Sequence, residues 1–134
     1  MLSNGNGNVY GYLRLFPGDP FAERVRERFR ELGIGERNLY VDEADPNGEG
    51  ERPAYERLKR AVRAGDLVYL DRMASLGMEY ERFAREWKTF TRELRAAIVI
   101  LENEHLFDSR KFDRMGFRRD LMEDQFLSVL FYPV

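Results

Sequence analysis

Arg14 is the first residue that asks for a chemical explanation. It lies in a mostly apolar, aromatic and β-branched run, residues 9–16, that stops at Pro17-Gly18-Asp19-Pro20. That pattern predicts a buried strand ending in a sharp turn. In an open α/β sheet, ligands gather at the carboxyl ends of the strands. A guanidinium placed there needs an anion, a carboxylate or solvent to offset its desolvation. Arg52, just before Pro53, is a second candidate. Together Arg14 and Arg52 suit a phosphate-like anion. The plainer expectation is a structural network with Asp42 and other carboxylates.

Other chemistries are scarce. With no cysteine in the chain, there is no disulfide, thiolate metal site or cysteine nucleophile. His105 is the only histidine, which excludes a histidine-rich metal cluster, and it reads as a surface residue in a charged loop rather than as the base of a serine–histidine triad. Ser75, Ser109 and Ser128 have no evident base. Glu102, Glu104 and Asp108 read as a solvated acidic face rather than a cation site. The turn at Pro17-Gly18 has too few glycines to cradle a phosphate. No metal and no cofactor are expected.

The 134 residues suit one domain with a single core. Lys and Arg number 22 against 24 Asp and Glu, a formal net charge of -2. Free-standing nucleic-acid binders usually carry a basic excess, so DNA binding by this chain alone is expected to be weak or indirect. No apolar run is long enough to cross a bilayer. Residues 1–8 read as a polar, disordered leader without signal-peptide character, residues 9–134 as the single domain, and the cytoplasm as its location.

Helices and strands alternate to position these groups. Helices are predicted over residues 19–32, with Phe21, Val25, Phe29 and Leu32 inward, over 52–64, with Tyr55, Leu58 and Val62 inward, and over 79–95, with Tyr80, Phe83, Trp87, Phe90 and Leu94 inward. Strands are predicted at 38–42, 66–70 and 96–101, and a mobile acidic loop at 43–51. Residues 102–117 read as an irregular wrap around a sheet edge. A last helix spans 119–131 before Pro133. The order predicts an α/β fold with a mainly parallel sheet of four to five strands, helices on both faces and a C-terminal helix.

Six short segments in this order resemble the catalytic domain of the serine recombinases, the resolvase and invertase family. Tyr12-Leu13-Arg14-Leu15-Phe16 is similar to that family's Tyr-x-Arg-Val-Ser, and Asn38-Leu39-Tyr40-Val41-Asp42 to its second strand. Glu51-Arg52-Pro53 is similar to its Asn-Arg-Pro helix start, and Gly65-Asp66-Leu67-Val68 to its Gly-Asp-x-Leu strand. Glu86-Trp87 and Asp120-Leu121-Met122 extend the likeness to about residue 131. The resemblance implies the resolvase-like three-layer fold. It also implies a serine at the end of the first strand that attacks a DNA phosphodiester, with arginines that neutralise the phosphate.

That serine's position holds Phe16, which has no nucleophilic atom. With Leu76-Gly77 in register, the family's Asp-Arg-x-x-Arg falls on Ala74, Ser75 and Met78. Asp71-Arg72 is a rival register three residues early. Only Arg14, Asp42 and Arg52 still match. The expectation is a degenerate, catalytically inactive recombinase-like domain of a DNA mobile element, without its own DNA-binding domain. The alternative is an active site-specific recombinase forming a phosphoserine link. Leu121, Met122, Phe126, Val129 and Leu130 make the last helix broadly apolar, which predicts a homodimer or a heteromer with a related recombinase.

Overall fold

The structure is a computed structural model that describes residues 7–45, 47 and 50–131. The predicted leader and the tip of the acidic loop lie largely, and Pro133 wholly, outside these residues. Strands β1 (Val9–Leu15), β2 (Leu39–Glu43), β3 (Leu67–Leu70) and β4 (Ala97–Ile100) form one sheet in the order β2-β1-β3-β4. Every pairing is parallel. All four positions of β3 and of β4 are buried, as expected of parallel strands covered on both faces.

Helices α1 (Ala22–Glu31), α2 (Pro53–Ala61), α3 (Tyr80–Lys88) and α4 (Arg119–Val129) supply the covers. On one face Leu13, Leu67, Tyr69, Ala97 and Val99 pack against Val25 and Phe29 of α1. On the other, Tyr12, Val68, Leu70, Ile98 and Ile100 meet Tyr55 and Leu58 of α2, Phe83 and Trp87 of α3, and Leu127 of α4. Burying a side chain such as Phe83 stabilises the fold by roughly 1.5–3 kcal/mol. Three layers result, with β1 central because its two faces feed both cores. Gly11 belongs there, since a Cβ would lie 3.1 Å from the Phe29 ring.

The element boundaries differ in informative ways. The first helix begins at Ala22 rather than Asp19; the Asp19 carboxylate instead accepts a hydrogen bond from the Phe21 amide at 2.9 Å. The helix predicted over 79–95 stays α-helical only to Lys88 and then widens into a π-turn, Thr89–Glu93. Arg95 follows with φ 60, a left-handed conformation that turns the chain into β4 within two residues. Residues 102–117 do wrap the β4 edge. There the Ser109 hydroxyl accepts from the Ile98 amide at 2.8 Å, and Asp108 bridges to Val99.

The largest revision concerns α4. Its fully buried members are Glu123 and Leu127, neither of which the apolar pattern selects. The Glu123 carboxylate accepts from Trp87 Nε1 at 2.8 Å, Arg92 Nε at 2.9 Å and Arg119 at 3.1 Å. Paired and hydrogen-bonded in this way, the charge can be buried, and it fastens α4 to α3.

Candidate functional site

The carboxyl edge of β1 and β3 is where the strand order reverses, the position at which such sheets bind ligands. Asp42, at the end of β2, serves the fold there. Its oxygens accept from the Ala54 and Tyr55 amides, each at 2.9 Å, and from the Tyr12 hydroxyl at 2.8 Å. A carboxylate at these first-turn N–H groups satisfies donors that an α-helix leaves open and complements its dipole. Asp42 thereby fixes α2, and with it Arg52 immediately upstream.

Arg52 lies over the Tyr55 ring, 4.0 Å from its centroid, donates from Nε to the Tyr12 hydroxyl at 3.2 Å, and donates from a terminal nitrogen to the Ser75 carbonyl. These are neutral partners. Arg14 goes further. Only 9% of it is exposed, its Nε has no hydrogen-bond partner among the described residues, and it forms no ion pair with Asp42 although the two are paired in register. Burial first, then the Arg52 charge and, to a smaller extent, Arg82, pull its pKa below the ordinary arginine value. Among the described residues neither Arg14 nor Arg52 forms the direct ion pair expected with Asp42 or another carboxylate; Arg52 reaches Asp42 through the Tyr12 hydroxyl.

A cleft of about 320 Å³ opens beside them, lined by Arg14, Gly50, Arg52, Ala74, Gly77, Met78 and Arg82. Ala74 and Met78 thus reach the site, while Ser75 lies buried beside it. Arg82, in the first turn of α3, was not among the sequence candidates. Its one signal was Gly77. A Cβ there would come within 2.8 Å of the Arg82 Cγ and 3.0 Å of the Phe83 amide nitrogen, so the glycine allows α3 to bring Arg82 across.

Phe16 occupies a neighbouring arrangement. It does not fill the cleft; its ring lies 5.1 Å from the Arg72 guanidinium and 5.9 Å from that of Arg14. Arg72 also lies 5.0 Å from the Phe21 ring and donates to Asp19 at 2.5 Å and Asp71 at 3.3 Å. Asp71, wholly buried, accepts in addition from the Arg14 amide at 2.9 Å, the Arg72 amide at 2.8 Å and the Ser75 hydroxyl at 2.5 Å. Desolvation pushes its carboxyl above the ordinary aspartate range, against those hydrogen bonds. The rival register therefore does bring Asp71-Arg72 next to Arg14. Its hydroxyls are poorly placed for attack, because Ser75 and Tyr12 are both wholly buried, and burial raises the Tyr12 pKa.

The remaining candidates stay apart from this edge. His105 lines a separate cavity with Glu104, Asp108, Arg110, Lys111 and Arg114. Arg28 holds Glu104 at 2.8 Å, Arg110 holds Asp108 at 2.7 Å, and Glu102 accepts from the Met73 amide at 2.6 Å. No metal-binding cluster occurs among the described residues. The Ser128 hydroxyl donates to the Gln125 carbonyl at 3.0 Å. The apolar surface predicted on α4 divides: Met122, Phe126 and Leu130 pack on the core, whereas Leu121 and Val129 are 54% and 64% exposed. Phe117, just before α4, is 99% exposed.

No family model and no curated protein matches the chain. Among solved structures, the N-terminal catalytic domain of TP901-1 integrase matches with a TM-score of 0.58 at 17% sequence identity, covering 91% of this chain and 92% of that one. The fold is that of a serine recombinase catalytic domain. Within this recombinase-like domain, the cleft and the Phe16–Arg72 group lie side by side where β1 and β3 end. No helix among its described residues is long and apolar enough to cross a membrane.

Proposed function

We propose that this recombinase-like domain, derived from a DNA mobile element, does not cut DNA and acts by associating with another protein, either a second copy or a related recombinase. One observation carries the first half: the residue that follows β1 beside Arg14 is Phe16, and among the described residues no hydroxyl oxygen is bonded to the Arg14 guanidinium. Covalent strand exchange needs an oxygen that can attack phosphorus and a group to take its proton. A phenyl ring supplies neither. Phe117, Leu121 and Val129, exposed apolar residues on and just before α4, support the second half, because a partner that covers them removes apolar area from water.

The deciding experiment incubates the protein with supercoiled DNA and assays covalent protein–DNA adducts. None is expected. An adduct overturns the reading in favour of an active recombinase, and its loss in Ser75→Ala would identify Ser75 as the nucleophile of that alternative. Sedimentation at tens of micromolar tests self-association. A dimer weakened by Leu121→Asp is expected; a monomer limits the proposal to a partner of different sequence.

A further inference from the structure

Among the described residues, the cleft beside Arg14 is lined by cations and by no acid. Three arginines line it, and among the described residues none of Arg14, Arg52 and Arg82 forms an ion pair with a carboxylate. Asp42, the acid whose charge acts on the Arg14 guanidinium, is occupied by two amides and a phenol. Arg28, Arg72, Arg92, Arg110 and Arg119, by contrast, are each held by carboxylates. Among the described residues the buried Nε of Arg14 has no partner, on a residue that is nine-tenths buried, and such an unpaired donor costs stability.

We propose that the Arg14–Arg52–Arg82 cleft binds a terminal phosphate, a phosphomonoester dianion, and that Arg82 makes it prefer the monoester over the diester. Arginine is the natural ligand because its planar fork matches phosphate oxygens. The number of charges selects the ester. A diester brings one negative charge to three cations, whereas a monoester brings close to two at neutral pH. The volume, about 320 Å³, lies at the lower end of the range for small-ligand sites, room for a phosphate and a short stem. Arg14 and Arg52 come from β1 and the start of α2, positions that the recombinase resemblance already marks. Arg82 comes from α3, outside that motif, and is held over the cleft by the close approach at Gly77. Of the earlier functional reading, this inference uses only the lack of a nucleophile beside Arg14: a phosphate bound there is held, not cleaved.

Calorimetric titration with inorganic phosphate, a nucleoside monophosphate and dimethyl phosphate tests it on the intact chain. Phosphate and the monophosphate are expected to bind at least about tenfold more tightly than the diester, a difference of ~1.4 kcal/mol. Arg82→Gln should abolish that preference and Arg82→Lys should restore part of it. Arg82 is exposed, so both variants are expected to keep the wild-type circular dichroism spectrum. Equal affinity for monoester and diester, no binding at millimolar phosphate, or an unchanged preference in Arg82→Gln each overturns the inference. Oligonucleotides with and without a 5′-phosphate separate the two sources of such a group. Tighter binding of the phosphorylated strand than of the mononucleotide assigns the ligand to a nucleic-acid end; equal binding assigns it to a free phosphomonoester. A null titration leaves the adduct and sedimentation results untouched, and an adduct removes only the statement that a bound phosphate is not cleaved, so the two proposals fail separately.

Discussion

Two groups of arginine stand side by side at the carboxyl edge of this sheet and are treated in opposite ways. Arg72 is saturated, with carboxylates from Asp19 and Asp71 and aromatic rings from Phe16 and Phe21 around one guanidinium. Arg14, Arg52 and Arg82 share a cleft that, among the described residues, offers them no carboxylate contact. The first group ties the β1–α1 turn to the segment after β3, so its charge is consumed by the fold. The second leaves charge unspent in a partly desolvated place, where it acts most strongly on whatever enters. The difference separates what holds this domain together from what it has left for a ligand.

The contrast can be broken at its structural end first. Asp71→Ala removes a buried carboxylate that serves the Arg14 and Arg72 amides, the Ser75 hydroxyl and Arg72 together. A loss of about 3–5 kcal/mol in urea unfolding is expected; a loss under ~1 kcal/mol would show that this group does not support the edge. Phe16→Leu keeps the apolar bulk and removes the ring face from Arg72. It should cost about 0.5–1 kcal/mol, without creating adduct-forming activity.

A surface pair calibrates the scale below these. The hydrogen bond from Arg28, opposed by slight burial, holds Glu104 below the ordinary glutamate range. A depressed folded-state pKa stabilises above the unfolded value and is lost as pH falls. Stability should therefore drop as pH falls below the ordinary glutamate value, by no more than ~0.5 kcal/mol from this partly exposed pair, and Arg28→Gln should remove that part of the slope. The smallest effect belongs to the ligand-facing group. Arg82→Gln should leave unfolding within about 0.5 kcal/mol of wild type, even as it changes phosphate binding. A larger loss would mean that Arg82 belongs with the structural arginines.

The alternation of apolar segments with amphipathic ones made the layered sheet legible in the sequence, because strands such as Leu67–Leu70 and Ala97–Ile100 are apolar throughout and bounded by clear turns. Phe16 and Arg14 were also legible at the end of β1. Other features depended on neighbours that no local pattern displays. Glu123 counts as a surface charge in any periodicity, and only Trp87, Arg92 and Arg119 converging from elsewhere make its burial tolerable. Arg82 looks like any solvated helix residue until Gly77 brings it over the cleft. The π-turn at Thr89–Glu93 keeps Phe90 and Thr91 buried while the helix ends, a change of pitch that the spacing of aromatics does not reveal.

The bond between Trp87 and Glu123 has a practical consequence. Trp87 is the sole tryptophan of the chain, wholly enclosed, with its indole N–H held by a carboxylate on α4. The protein therefore carries its own optical reporter for the seating of its final helix. A binding partner that lies on the outer surface of that helix leaves the fluorescence blue, whereas one that pries the helix away lets water reach the indole and moves the emission to the red.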